Sequence, residues 1–344
     1  MARKLFFRNV RARDQLEIVL ISAITSVLLI RLFLHFTGNF QLGGGDYHIA
    51  HMLYGGVLML VALTLSLAFL GARVQRLTAL VGGVGFGFFI DELGKFITKD
   101  NDYFFNPTIG LIYAVFITLY LTFNFLSRTE KMSSREYQLN ALAQLEEAII
   151  HDMDPFEKKR VADLLAHANQ DSSFTKILRK FLDEVETVPG DPPTFIKVFL
   201  QKVSMQYKKF WHLRRSHTLI RVFFIAEAGL FLLAVLASVF SNIDQVRDVV
   251  LGNTRLYSSQ LLVGQLVSTL IAAGYAVAGV VLLTQSRIRA FEQFRRATLI
   301  NLFLTQFFVF ARIQFGAMPG FLFSLLLLGF INYAIFQEKA GRVR

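Results

Sequence analysis

Apolar residues along this chain arrive in long unbroken runs, not in alternating or sparse stripes. A run of about 20 such residues has the length of a helix that crosses a bilayer. Eight runs fit, at roughly 16–36, 48–70, 77–98, 107–127, 218–240, 259–284, 297–315 and 319–337. The last two are short and are joined by Gly316-Ala-Met-Pro-Gly320, which predicts a tight helical hairpin. The first run is too long for a cleaved leader, and no small-residue cleavage site follows it.

Residues 128–217 break the pattern with 15 Lys or Arg and 13 Asp or Glu, the mixture of a water-exposed segment. Ser133 with Glu136, and Asp154-Pro-Phe-Glu157, read as helix-starting capping boxes, and Pro155 suits a first helical position. Ser172 or Ser173 can start a third helix and Asp191-Pro-Pro-Thr194 a fourth. The basic and aromatic stretch from Lys197 to Arg215 suits the inner leaflet surface, where each basic residue gains about 1 kcal/mol from anionic lipid. The expected fold is therefore all-α: a polytopic membrane helix bundle of about eight spans with an inserted cytoplasmic helical domain. The divisions are a first membrane half at 1–127, the helical domain at 128–217 and a second membrane half at 218–344. The halves suggest a 4+4 repeat, because Phe88–Phe96 can be laid over Phe307–Phe315; Phe310 and Ala311 then stand where the first half has Asp91 and Glu92.

Composition sharpens this. Of 344 residues, 54% are hydrophobic and 18% charged, against about 25% charged in soluble domains. That excludes a disordered chain and argues against an ordinary cytosolic enzyme. The absence of Cys removes disulfides, thiolate metal sites and cysteine catalysis. The net charge of +11 comes largely from basic residues flanking apolar runs, which points to membrane topology and not to nucleic acid. Arg3 to Arg13, Arg73 and Arg76, Arg287 to Arg296, and Lys339 to Arg344 all fall on one side if there are eight spans. The expectation is a multi-pass protein of the plasma (inner) membrane with both termini cytoplasmic.

Few acids lie outside the middle segment, and five of them fall between 46 and 102: Asp46, Asp91, Glu92, Asp100 and Asp102. A carboxylate within a membrane is costly, so such groups face a polar interior and are paired. With alternating spans, the end of the first (Arg31, His35), the start of the second (Asp46, His48, His51), the end of the third (Asp91, Glu92, Lys95) and the loop to Asn106 converge at the outer end of the first half. His48, His51, Glu92 and Asp102 are candidate ligands for a divalent metal such as zinc, manganese or iron. Without a metal, Glu92 or Asp91 can serve as a general base, and Lys95 can hold a headgroup phosphate or carboxylate. A purely structural network is the competing reading: Lys95 can pair with Asp91 or Glu92 along the helix, and Arg31 can neutralise the remaining acid. Gly83 and Gly87 form a G-x-x-x-G pair suited to close helix packing, with Gly55 and Gly56 as the expected complementary surface. Glu227 is a separate candidate for a proton or ion relay, or a buried partner of Arg221.

Residues 46–110 resemble the VanZ-like family of bacterial membrane proteins, through Asp46, His51, Glu92, Asp102, Asn106 and Gly110. Lys95 stands where that family tends to carry Gln, and the likeness spans about 65 of the 344 residues. It implies an envelope-associated membrane protein. Three function classes follow: a site acting on a lipid or cell-envelope precursor, an ion or metal transporter, and a scaffold or sensor whose cytoplasmic helices bind a protein partner. Membrane lipids are the expected surroundings, and a homo-oligomer is compatible with the sequence.

Overall fold

The computed structural model describes residues 6–37, 50–99, 105, 107–127, 132–150, 153–189, 216–241, 243, 244, 247 and 257–341. The described residues are predominantly helical, with no strand among them. They divide into two compact units, one formed by 1–103 with 116–194 and the other by 104–115 with 195–344.

In the first unit, α1 (Ala12–Phe36) and α2 (His51–Ala68) pack on two faces of a central helix, α3 (Ala72–Asp91). Side-chain amides of Gln15 and Gln75 meet at 2.7 Å, Ser26 donates to the Val84 carbonyl at 3.2 Å, and Arg31 reaches Asp91, so α1 and α3 run parallel. Gly55 abuts Gly85, Ala62 abuts Gly82 and His51 reaches Asp91, so α2 runs antiparallel to α3. The link between them turns at Gly71, whose φ of 104° is left-handed backbone that a side chain would strain. The glycines of α3 serve both neighbours. Gly83 and Gly87 press on Val19, Ser22, Ala23 and Ser26 of α1, whereas Gly85 meets Gly55 of α2 and Gly56 meets nothing within 4 Å. The G-x-x-x-G face thus belongs to α1 and not, as expected, to Gly55 and Gly56.

A built Cβ on Gly82 stands 3.3 Å from the Ala62 Cβ, close to the roughly 3.8 Å of a disulfide. In this Cys-free chain, the pair Ala62→Cys with Gly82→Cys is expected to oxidise to one intramolecular disulfide, read as a two-hydrogen loss in intact mass. A chain that stays fully reduced contradicts the α2–α3 register.

The chain continues in α4 (Leu93–Ile97), α5 (Thr108–Leu126), α6 (Ser134–Gln144), α7 (Glu146–Ile149), α8 (Pro155–His167) and α9 (Ser173–Glu184). Both expected capping boxes are formed, Ser133 with Glu136 and Asp154 with Glu157, with Pro155 opening its helix. Leu145, Met153, Val161, Leu165 and Leu178 bury a small core among α6 to α9, and Val10 packs against it. The segment before α1 is tied to these helices: the Arg8 and Val10 amides donate to Glu136 and Asn140 at 3.0 and 2.8 Å, and Arg11 bridges Glu146 and Glu147 at 3.1 and 2.7 Å. The expected helix start at Asp191 and the basic stretch 197–215 lie outside the described residues.

The second unit contains α10 (Ser216–Ser241), α11 (Tyr257–Leu282) and a long hairpin. The hairpin's first arm is α12 (Arg287–Ile300), a π-helical turn at Asn301–Thr305 and α13 (Gln306–Ile313); a 3-10 turn at Gln314–Ala317 leads to α14 (Met318–Gly341). Arg287 pairs with Glu338 at 3.2 Å and Asn301 with Ser324 at 2.9 Å, an antiparallel register that closes at Gln314, where φ is +48°. Phe224, Phe291 and Phe294 are buried among Ala272, Ala276 and Ile331.

Six helical stretches among the described residues are long and apolar enough to cross a membrane: Ala12–Leu34, His51–Ala68, Thr108–Leu126, Phe224–Ser241, Gln260–Leu282 and Arg287–Phe336. The last is the whole hairpin, within which the two expected runs at 297–315 and 319–337 fall. The expected run at 77–98 is not among the six. It forms α3, whose first turns carry Arg73, Gln75 and Arg76 and which ends at Asp91, before residue 98. Large apolar side chains such as Leu53, Val57, Leu60, Leu67, Ile225 and Leu233 face outward on these helices, as a lipid environment favours.

Candidate functional site

Two adjacent carboxylates at the carboxyl end of α3 pose an electrostatic problem, because that end of a helix already carries partial negative charge. The fold answers it with groups from α1, α2 and α4. Asp91 and Glu92 are both 0% exposed. Arg31 of α1 donates from Nε to Asp91 Oδ1 at 2.5 Å and from Nη2 to the Asp91 carbonyl at 2.9 Å, so it serves the carboxylate and the helix end together. Lys95 Nζ, one turn on, lies 3.3 Å from Glu92 Oε1.

His51 stands at the start of α2, between the two acids. Its Nε2 is 3.1 Å from Asp91 Oδ2 and its Nδ1 is 2.8 Å from Glu92 Oε1. A ring that carries both N–H protons satisfies the two carboxylates at once. Glu92 Oε1 also accepts the His51 backbone N–H at 3.0 Å. Residue 50, the cap position of α2, is Ala and offers no side-chain acceptor, so Glu92 caps α2 from a neighbouring helix. Phe88 packs edge-on against the His51 ring at 6.2 Å. Glu92 Oε2 is buried and finds no hydrogen-bond partner among the described residues. His51 and Lys95 are the open members, with side chains 19% and 22% exposed.

The structure therefore brings together Arg31, His51, Asp91, Glu92 and Lys95 from three packed helices and the turn after α3. Asp46, His48, Asp102 and Asn106 lie outside the described residues, as does the side chain of His35. Among the described residues, no group of three or more His, Asp or Glu side chains could hold a metal ion. His51 and Glu92, two of the four expected ligands, are neighbours, but the ring meets a carboxylate at each nitrogen, and Arg31 and Lys95 already neutralise the acids. The described donor set does not fit a divalent ion. Asp91 and Glu92, the expected bases, are each ion-paired; the groups the cluster offers are the His51 ring between the two acids, the Glu92 Oε2 acceptor without a hydrogen-bond partner among the described residues, and the Lys95 ammonium. In the sequence Arg31 stood out only as a neutraliser of the leftover acid, and Phe88 had no signal beyond its place one turn before Asp91.

Glu227 belongs to the second unit. It is buried in α10 and faces Thr298 of α12 at 3.3 Å; nothing is described of the Arg221 side chain, its expected partner. No family model, curated protein or solved structure matches this chain.

Proposed function

We propose that this chain is a multi-pass membrane protein whose α1–α2–α3 end binds the anionic, hydroxyl-bearing headgroup of a lipid or lipid-linked envelope precursor. The observation that carries this reading is the composition of the cluster: the Arg31 and Lys95 cations and the His51 ring face two buried carboxylates, and Glu92 Oε2 meets no hydrogen-bond partner among the described residues. Lys95 would meet the phosphate, Glu92 Oε2 would accept a headgroup hydroxyl, and His51 would hold or pass the proton between Asp91 and Glu92. The proposal needs no metal.

The test uses the full chain in nanodiscs of phosphatidylcholine, with phosphatidylglycerol retained after dilution read by native mass spectrometry. Lys95→Gln is expected to weaken retention by about 1 kcal/mol, roughly fivefold. Glu92→Gln separates binding from chemistry: a turnover on lipid that disappears while retention survives marks an enzyme. Equal retention of phosphatidylglycerol by the parent chain and Lys95→Gln would sink the proposal.

A sensor reading has its own observation. The 25-residue helix α1 joins the polar cluster at Arg31 to the small helical core of α6 to α9 at Arg8, Val10 and Arg11. A headgroup that shifts Arg31 would act on one end of a rigid element whose other end holds Glu136, Asn140 and Glu147. Altered hydrogen exchange in α6 on adding phosphatidylglycerol would favour this reading over a purely local site.

A further inference from the structure

The second unit contains polar side chains where a membrane-spanning bundle gains nothing from them unless they serve a purpose. Glu227 sits near the middle of α10 and is 3% exposed. Its Oε2 meets no hydrogen-bond partner among the described residues. Its Oε1 lies 3.3 Å from Thr298 Oγ1, and that hydroxyl lies 2.9 Å from the Phe294 carbonyl. A hydroxyl has one proton. If Thr298 gives it to the nearer carbonyl, the contact with Glu227 is satisfied when the carboxyl itself donates, which requires the neutral acid.

From Thr298 a file of polar groups continues along the hairpin's first arm. Asn301 donates to Ser324 of α14 at 2.9 Å. Thr305, one turn on, meets Ser268 of α11 at 3.0 Å, and both are buried. Beyond them Arg312 donates to Gln265 at 2.6 Å, and Gln265 approaches Ser238 near the end of α10 at 3.5 Å. Successive stations on the arm are three, four and seven residues apart, and they meet the neighbouring helices at Glu227, Ser324, Ser268 and Gln265. The π-helical turn at Asn301–Thr305 lies in the middle of this file; such turns are rare and concentrate at functional positions. In the opposite direction the path closes. Phe224, one turn before Glu227, stacks on Phe294 at 4.3 Å and lies 5.0 Å from Phe291, all buried.

We propose that Glu227 is a proton-binding site inside the membrane, reached along the Asn301–Thr305 file from the bundle end that carries Ser238, Gln265 and Arg312, and sealed from the other end by stacked phenyl rings. The occupant is a proton exchanged with water at that end. The charged groups on the packed elements are few. The span α11 carries no charged residue but holds Tyr257 and Tyr275; α12 carries Arg287, Arg289, Glu292, Arg295, whose Nε is buried, and Arg296; α13 carries Arg312; and the ionisable residues of α14 are Tyr333, Glu338 and Lys339. On α10 itself Arg221 lies almost two turns before Glu227.

Infrared spectroscopy of the full chain in proteoliposomes tests this. A protonated-carboxyl carbonyl band is expected that is missing in Glu227→Gln, shifted in Glu227→Asp, and lost reversibly at alkaline pH. In deuterium oxide the band should exchange, and Asn301→Leu, which plugs the file, should slow that exchange at least tenfold, whereas Phe224→Leu should not. Absence of a band assignable to Glu227, a band that never exchanges, or exchange unchanged by Asn301→Leu would each overturn the proposal. Because none of these residues belongs to the first unit's cluster, the result is independent of headgroup binding there.

Discussion

Replacing Arg31 with Met is expected to destabilise the first unit by about 3–5 kcal/mol, the usual cost of leaving a buried charge without its partner. Arg31 reaches Asp91 through two bonds, one to the carboxylate at 2.5 Å and one to the last helical carbonyl of α3 at 2.9 Å. Met preserves most of the side chain's apolar stem, so the loss isolates the guanidinium. Asp91, fully buried, then keeps the His51 ring at 3.1 Å but loses the permanent charge beside it. The measurement is the temperature at which the detergent-solubilised chain loses its monodisperse elution peak. The pair Arg31→Met with Asp91→Leu is expected to recover much of the loss, because no charge is then stranded. Lys95→Met provides the contrast. Its ammonium is partly exposed and 3.3 Å from Glu92, so removing it should cost about 1 kcal/mol or less. Equal effects of Arg31→Met and Lys95→Met would show that the pair with Asp91 is not what holds α1 to the end of α3.

The site was legible in outline because charge in an apolar run is rare enough to be noticed. Asp91 and Glu92 at the end of one run and His51 at the start of another pointed to the same end of the bundle, and the structure joins them. The pairing among them was not legible. Helical spacing offers Lys95 to either acid, but α3 ends at Asp91 and the chain turns at Glu92, with φ −84° and ψ 9°. Across that break Lys95 reaches Glu92, while Asp91 meets His51 and Arg31, the latter sixty residues away in sequence. The capping of α2 by Glu92 was hidden for the same reason, since it needs the register of two helices. The glycines of α3 were readable as packing surface but not as two surfaces. In the second unit, the Gly and Pro around 316–320 announced the hairpin, while nothing in the sequence marks Asn301–Thr305 as a π turn. Thr298 as the neighbour of Glu227 emerges only from the packing of α10 against the hairpin.

The glycine arrangement yields the second large effect, through two adjacent residues expected to respond with opposite sign. A Cβ on Gly55 would fall 2.6 Å from the Gly85 carbonyl oxygen and 2.7 Å from the Phe89 nitrogen. Both are backbone atoms, so no side chain can swing away, and α2 must separate from α3. Overpacking of this kind costs about 1–3 kcal/mol. The separation also draws His51, one turn earlier on α2, away from the carboxylates at 3.1 and 2.8 Å, so Gly55→Ala should weaken both stability and headgroup retention. A Cβ on Gly56 meets nothing within 4 Å. There the substitution only removes a flexible residue from a helix interior, which stabilises by roughly 0.5–1 kcal/mol. The same elution-based melting measurement reads both variants. Gly55→Ala should lower the midpoint and Gly56→Ala should leave it unchanged or raise it, and a common direction would mean that α2 does not meet α3 through Gly55. Helix propensity alone predicts the same gain at both positions, so the difference between them isolates the contact that sets the His51 ring between Asp91 and Glu92.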